Sequence, residues 1–236
     1  MSARQARCPG GATVRKSLLV CGILSAIVYI AANIIVPAQW DAYDWMSQTV
    51  SEMSAVGAPT RALWIALAIP YGILLTAFGA GVRLSANQHR GLKIAGTLII
   101  IDALIGFTWP PMHSREVLAA GGGTFTDTMH IVYTAINALL MFGAIGFSMT
   151  AFGNRYRVYC IATVIVELAF GIVTGLQSAS MQANLPTPWM GVWERIIIVA
   201  MMVWPVVLAI ALIRRNAESP AVSRDAKPYM SLTSSF

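Results

Sequence analysis

Charge is what this chain has least of. Asp, Glu, Lys and Arg supply 11% of its residues, against about 25% in an average soluble domain. So few charges exclude a soluble globule. Cysteine is scarce too: Cys8, Cys21 and Cys160 are too few and too scattered for a disulfide framework or a cysteine metal cluster. There are three histidines, with no HExxH pattern and no group of three, which argues against a catalytic zinc and leaves no metal or cofactor to assign. Acidic residues are outnumbered, and the net charge of +6 at first suggests nucleic acid; the placement of the positive residues explains it otherwise.

Apolar residues fill the space that charge leaves, at 57% of the chain. Runs near the roughly 20 residues that cross about 30 Å of hydrocarbon occur six times, at 17–36, 61–82, 92–110, 127–152, 157–177 and 190–213. The run before Cys21 is too short for a signal-peptide core, so the first segment reads as a retained helix. The expected fold is all-α, a six-helix transmembrane bundle forming one domain over 17–213. Polar tails at 1–16 and 214–236 carry no periodicity and are expected to be disordered.

Six spans put both tails and the second and fourth loops on one side. That side collects 13 of the 16 Lys and Arg, leaving Arg61, Arg115 and Arg195 for the other. The positive-inside rule makes the basic side cytoplasmic, placing the protein in a plasma membrane with both termini inside. The positive charge is thereby used for topology, which removes nucleic acid as a partner and leaves membrane lipids. Acids sort the other way: Asp41, Asp44, Glu52, Glu116, Asp127 and Glu194 fall outside, with His113 and His130.

The outer segments carry local signals. Trp40, Tyr43 and Trp45 suit the headgroup region. Thr49 and Glu52 have capping-box spacing for a short helix, as do Thr124 and Asp127. Pro59 and Pro188 suit the first turns of the second and sixth spans, with Thr187 as a cap. Arg61 and Arg115 read as contacts to lipid headgroups.

Polar stripes run inside the apolar segments. Asp127, His130, Thr134, Asn137, Met141 and Ser148 follow one helix face of the fourth span. Cys160, Thr163, Glu167, Gly171, Thr174 and Gln177 do so in the fifth, and Ser25, Tyr29 and Asn33 in the first. Such faces are expected to turn toward one another, either as interhelical packing or as a site. Asp102 and Glu167 are the telling members. A carboxylate at mid-bilayer costs at least about 2.5 kcal/mol on insertion scales, and no Lys or Arg sits mid-span beside either. Each acid is followed four residues on by glycine, Gly106 and Gly171, as a parallel repeat about the membrane normal would arrange.

Several of these features occur together in a known family. The Thr49-Val50-Ser51-Glu52 motif leads to Gly57-Ala58-Pro59. Pro110 and Pro111 end the third span before a Gly-rich loop, a histidine opens the fourth, and Gly191, Trp193, Glu194 and Arg195 start the sixth, with Trp204 later. In order and topology the chain resembles the prokaryotic membrane family of domain of unknown function number 998, over about residues 17–215. The resemblance implies a six-helix integral membrane protein and carries no activity. Met53 and Ser54 depart from the Leu-Gly that follows Ser-Glu in family-like sequences.

The expected site is a polar pocket opening outward, walled by Asn33, Asp102, Asp127, His130, Asn137, Glu167, Gln177, Glu194 and Arg195, with His113 at its lip. The leading reading is binding or transport of a proton, cation or small polar ligand, with Asp102 and Glu167 deep and His130 linking them to the surface. The alternatives are a membrane-embedded enzyme acting on lipid-linked or envelope substrates, using His130 with Asp127 and Arg195, and a structural subunit of a membrane complex.

Overall fold

The computed structural model describes residues 9–218. Among them every regular element is helical: α1 (Pro9–Ile35), α2 (Arg61–Ser85), α3 (Arg90–Gly106), α4 (Arg115–Ala119), α5 (Phe125–Ser148), α6 (Asn154–Leu176), α7 (Ser178–Gln182) and α8 (Met190–Glu218). Two 3-10 turns, Pro37–Gln39 and Val50–Ser54, lie between α1 and α2. In a medium without water, helices alone satisfy their own backbone polar groups segment by segment.

Five of the helices are long and apolar enough to cross a membrane: α1, α2, α5, α6 and α8. The remaining expected span, the third at 92–110, corresponds to α3, which has 17 residues and rises about 25 Å at 1.5 Å per residue. Helix α1 already runs through Arg15 and Lys16, and α8 through Arg214 and Arg215, into segments expected to be disordered. The remainder of both tails, residues 1–8 and 219–236, lies outside the described residues.

Neighbouring long helices pack in the order α5, α3, α2, α1, α8, α6, and a slighter contact between α5 and α6 closes the ring. Helix α3 therefore lies between α2 and α5, while α6 leans on α8. The α2–α3 seam is tight because two glycines face each other. A Cβ on Gly79 would meet the carbonyl oxygen of Gly96 at 2.9 Å, and one on Gly96 would meet that of Gly79 at 2.7 Å. Small residues at such crossings let helix backbones approach where no hydrophobic effect drives them together.

One core, with Phe78, Val82, Leu92, Ile99, Ile145, Trp204, Leu208 and Leu212, fills the half of the bundle near the basic loops. At that end Arg215 donates to the Ser85 carbonyl at 2.6 Å, and His89 caps α3 by accepting from the Leu92 amide at 3.2 Å. A smaller core of Ala32, Val36, Tyr43, Val50 and Met53 lies at the opposite end. There the segment 36–60 folds over the helix ends as a cap, bridged by a short parallel contact between Val56 and His113.

Candidate functional site

The cap is built from local rules and then bolted down by long-range ones. Asp44 turns the chain, accepting from the Met46 amide at 3.0 Å and the Ser47 hydroxyl at 2.5 Å. The Ser47 bond, with the amide bonds behind it, holds the Asp44 carboxyl below its usual range. Thr49 and Glu52 form the expected capping box around Val50–Ser54. The Val50 amide, one of the donors a helix start leaves open, donates a hydrogen bond to Glu194 Oε2 at 2.5 Å.

Two arginines hold the cap. Arg115 is buried and grips Glu52 with two bonds, Nε to Oε1 at 2.5 Å and Nη2 to Oε2 at 2.9 Å. It also donates to Thr187 Oγ1 at 2.7 Å and to the Ser47 carbonyl at 2.8 Å. The flat guanidinium fork suits such multiple recognition. Arg115 is thus no headgroup contact: its four hydrogen bonds go to acceptors that two separate loops, the 36–60 cap and the segment before α8, bring to one place. Arg195, one turn into α8, donates to the carbonyls of Trp45 and Gly191 at 3.0 and 2.9 Å and to the Tyr43 hydroxyl at 2.7 Å. Its guanidinium stacks 4.8 Å from the Trp45 ring centroid, a favourable cation–π arrangement. The Tyr43 hydroxyl in turn donates a hydrogen bond to the Thr49 carbonyl at 2.8 Å. Burial raises the Tyr43 phenol well above its ordinary value, although Arg195 pulls the other way.

Next to the cap lies the rim formed by the end of α3, the α3–α5 loop and the start of α5. Asp127 completes its capping box with Thr124 and accepts from the His113 amide at 2.6 Å and from His113 Nδ1 at 2.9 Å. It is bonded to His113 and Thr124, not to His130. His130 is buried instead against Trp109, Pro110 and Ser51. Its Nδ1 lies 2.8 Å from the Pro110 carbonyl and 3.2 Å from Trp109 Nε1, and its Nε2 lies 3.1 Å from Ser51 Oγ.

Deeper in the bundle, Asp102 is 6% exposed and accepts from Asn137 Nδ2 at 2.6 Å across the α3–α5 contact. Tyr29 and Tyr71, with ring centroids 4.6 Å apart, both lie within electrostatic reach of Asp102, and Tyr29 also within reach of Glu194 and Arg195. Glu194 under the cap, the Tyr29–Tyr71 pair and the hydrogen-bonded Asp102–Asn137 pair thus make a series of polar groups, the polar seam, in which Tyr29 is within electrostatic reach of both Glu194 and Asp102. Glu167, 4% exposed on α6, stands outside it. One of its oxygens is buried without a partner, and no hydrogen bond or ion pair joins it to Asp102 among the described residues. The ring order is the reason, since α3 packs on α2 and α5 while α6 packs on α8. Asn33 donates to the Tyr29 carbonyl at 3.0 Å and Gln177 to that of Pro188 at 3.3 Å, and each leaves its side-chain oxygen buried and unpartnered. No three His, Cys, Asp or Glu gather as metal ligands among the described residues.

A family model described as a protein of unknown function, DUF998, matches residues 23–211. The chain belongs to the DUF998 family. Its match starts inside α1 and ends inside α8, so it takes in the cap, the rim and the seam together. No curated protein and no solved structure matches this DUF998 chain.

Within this DUF998 fold, sequence reasoning found the seam's titratable members and missed the groups that organise the cap. Glu52 and Thr187 read only as local caps, Tyr43 and Arg115 only as headgroup contacts, and Ser47 not at all, because the partners that fasten the cap are 63 to 152 residues away in the chain. Arg115 and Arg195 stand out only as two of the three positive residues that the expected topology puts on the acid-rich side, which marks them as unusual without naming a partner. Ser51 registered only as part of a capping motif; its neighbour His130 is 79 residues on.

Proposed function

We propose that this DUF998 protein is a six-span plasma-membrane protein, both termini cytoplasmic, whose seam binds and passes a proton, cation or small polar ligand taken from the outer side. The third span in this reading is α3, carried across a thin place in the bilayer between α2 and α5. The single observation behind the function is Asp102. A carboxyl group buried in an apolar bundle, within hydrogen-bond reach of an amide and near two phenols, is expensive to keep as a mere packing device. Intramembrane acids of this kind usually belong to ion or proton paths.

In this reading Asp102 is the deep carrier, oriented by Asn137. Tyr29 and Tyr71 are hydroxyl stations between it and Glu194, which lies under the cap. Asn33, Gln177 and Glu167 offer further unpartnered oxygens to a passing donor, with Glu167 reached from the α6–α8 side. His113, Asp127, His130 and Arg195 form the outer lip and hold the cap that covers the entrance.

Purified protein in liposomes loaded with a pH-sensitive dye tests this. Under an imposed potential, the wild type is expected to raise proton, Na+ or K+ permeability above that of empty liposomes. Asp102→Asn should remove most of the increase while retaining the parent's melting temperature, and Glu167→Gln should lower it less. Wild-type liposomes as tight as empty ones, or a folded Asp102→Asn as active as the parent, would overturn the proposal.

A further inference from the structure

The rim holds an arrangement that ion passage does not require. Ser51 Oγ is 3.1 Å from His130 Nε2, and the opposite ring nitrogen of His130 is 2.8 Å from the Pro110 carbonyl. A carbonyl oxygen that close needs a proton between it and Nδ1, since otherwise two lone pairs would face each other. We assign the Nδ1–H tautomer on that ground; the longer Trp109 contact, at 3.2 Å, is the one that yields. Nε2 is then free to accept the hydroxyl proton of Ser51. A hydroxyl nucleophile, an imidazole base and a third group that fixes the ring is the pattern of an activated serine.

Its surroundings fit that role. The Trp109 ring and the imidazole pack edge to face with centroids 5.6 Å apart, which restricts ring rotation. Asp127 lies within electrostatic reach of His130, supplying negative charge near an imidazolium formed in the step. Ser51 is half-buried on the Val50–Ser54 turn, and that turn is anchored by Glu52 to Arg115 and by Val50 to Glu194. The nucleophile is held rigidly even though it sits in a loop. The ends of α3 and α5 beside the pair carry exposed apolar side chains: Leu104 on α3, Phe107 just past its end, and Ile131 and the 76% exposed Phe125 on α5. A substrate arriving sideways from the bilayer meets this surface first.

We propose that Ser51 and His130 form an acyl-transfer site for a lipid-borne carboxylic ester. Ser51 Oγ bonds to the ester carbonyl carbon as its proton passes to His130 Nε2. Collapse of the tetrahedral adduct breaks the bond to the alcohol oxygen, which leaves with the Nε2 proton. Water then repeats the two steps on the acyl-serine, giving its proton to Nε2 and releasing the carboxylic acid, with the proton returned to Ser51. Atoms balance with water as the only co-reactant.

The test uses full-length protein in nanodiscs and a fluorophosphonate probe, which labels serines activated in this way. Peptide mass spectrometry should find the label on Ser51, and heat-denatured protein should lose it. His130→Gln should slow labelling at least tenfold, with the rate in the parent rising with pH as the imidazole loses its proton. A fluorogenic ester with a 16-carbon acyl chain should turn over in wild-type nanodiscs and not in Ser51→Ala. Folded wild type that leaves Ser51 unlabelled under conditions that label a known serine hydrolase would overturn the proposal. So would His130→Gln labelling at the parental rate, or ester turnover unchanged in Ser51→Ala.

Discussion

Replacing Arg115 by methionine should be the most damaging single change in the cap. The methionine keeps most of the volume and removes four hydrogen bonds: two to Glu52, one to Thr187 and one to the Ser47 carbonyl. It also strands the Glu52 carboxylate, whose side chain is 4% exposed. Breaking a buried ion pair from one side costs about 3–5 kcal/mol. Glu52 retains the Thr49 amide at 2.7 Å, the Thr49 hydroxyl at 3.0 Å and a longer bond from Gln48 at 3.3 Å, so the lower end, about 3 kcal/mol, is expected. Adding Glu52→Gln removes the stranded charge, and the double variant should recover about 1–2 kcal/mol of the loss. The assay is unfolding in mixed micelles by titration with a denaturing detergent, following tryptophan fluorescence. A loss below about 1 kcal/mol, the level of an exposed pair, would show that the cap is not held by this contact.

Gly191→Ala should loosen the same cap from the other side. Its Cβ would lie 2.6 Å from the Trp45 carbonyl oxygen and against that of Gln48, both backbone, so the loop must move at an overpacking cost of about 1–3 kcal/mol; protease cleavage within residues 44–50 should accelerate, and parental resistance would refute the close approach. Acid should open the Asp44 turn. Its folded carboxyl lies below the ordinary aspartate value of 3.8, so the turn is fully stabilised above that value and loses the contribution as pH falls through the lower, folded one. Trp45 fluorescence should therefore report a transition with its midpoint under pH 3.8, absent in Asp44→Asn, and a midpoint above that value would show the sign to be wrong.

Much of the architecture was legible before any coordinates. Long apolar runs marked the spans because the bilayer fixes how many residues a helix needs, and α1, α2, α5, α6 and α8 lie where those runs were. The third run spans 92–110, but α3 ends at Gly106, where Phe107 and Thr108 turn ahead of Pro110 and Pro111, since a proline disfavours helix in the residue before it. Both capping boxes were readable, since Thr49 with Glu52 and Thr124 with Asp127 act over three residues. The Arg115 contact was not readable, because a lone arginine near a membrane surface has the same sequence whether lipid phosphate or a buried Glu52 receives it.

The sequence by itself determined an all-helical membrane chain, the helix faces that carry polar groups, and the two acids that no apolar environment tolerates cheaply. These follow from composition and from a period of 3.6 residues, both properties of the chain alone. Only the tertiary structure decided which faces meet. It set Asp102 against Asn137 and left Glu167 on α6, beyond α5 and packed toward α8, gave Asp127 to His113, and brought Ser51 to His130. Helix order around the bundle chooses among partners that local patterns leave equivalent, and that order is fixed by packing such as the Gly79–Gly96 approach and by the arginines that fasten the cap.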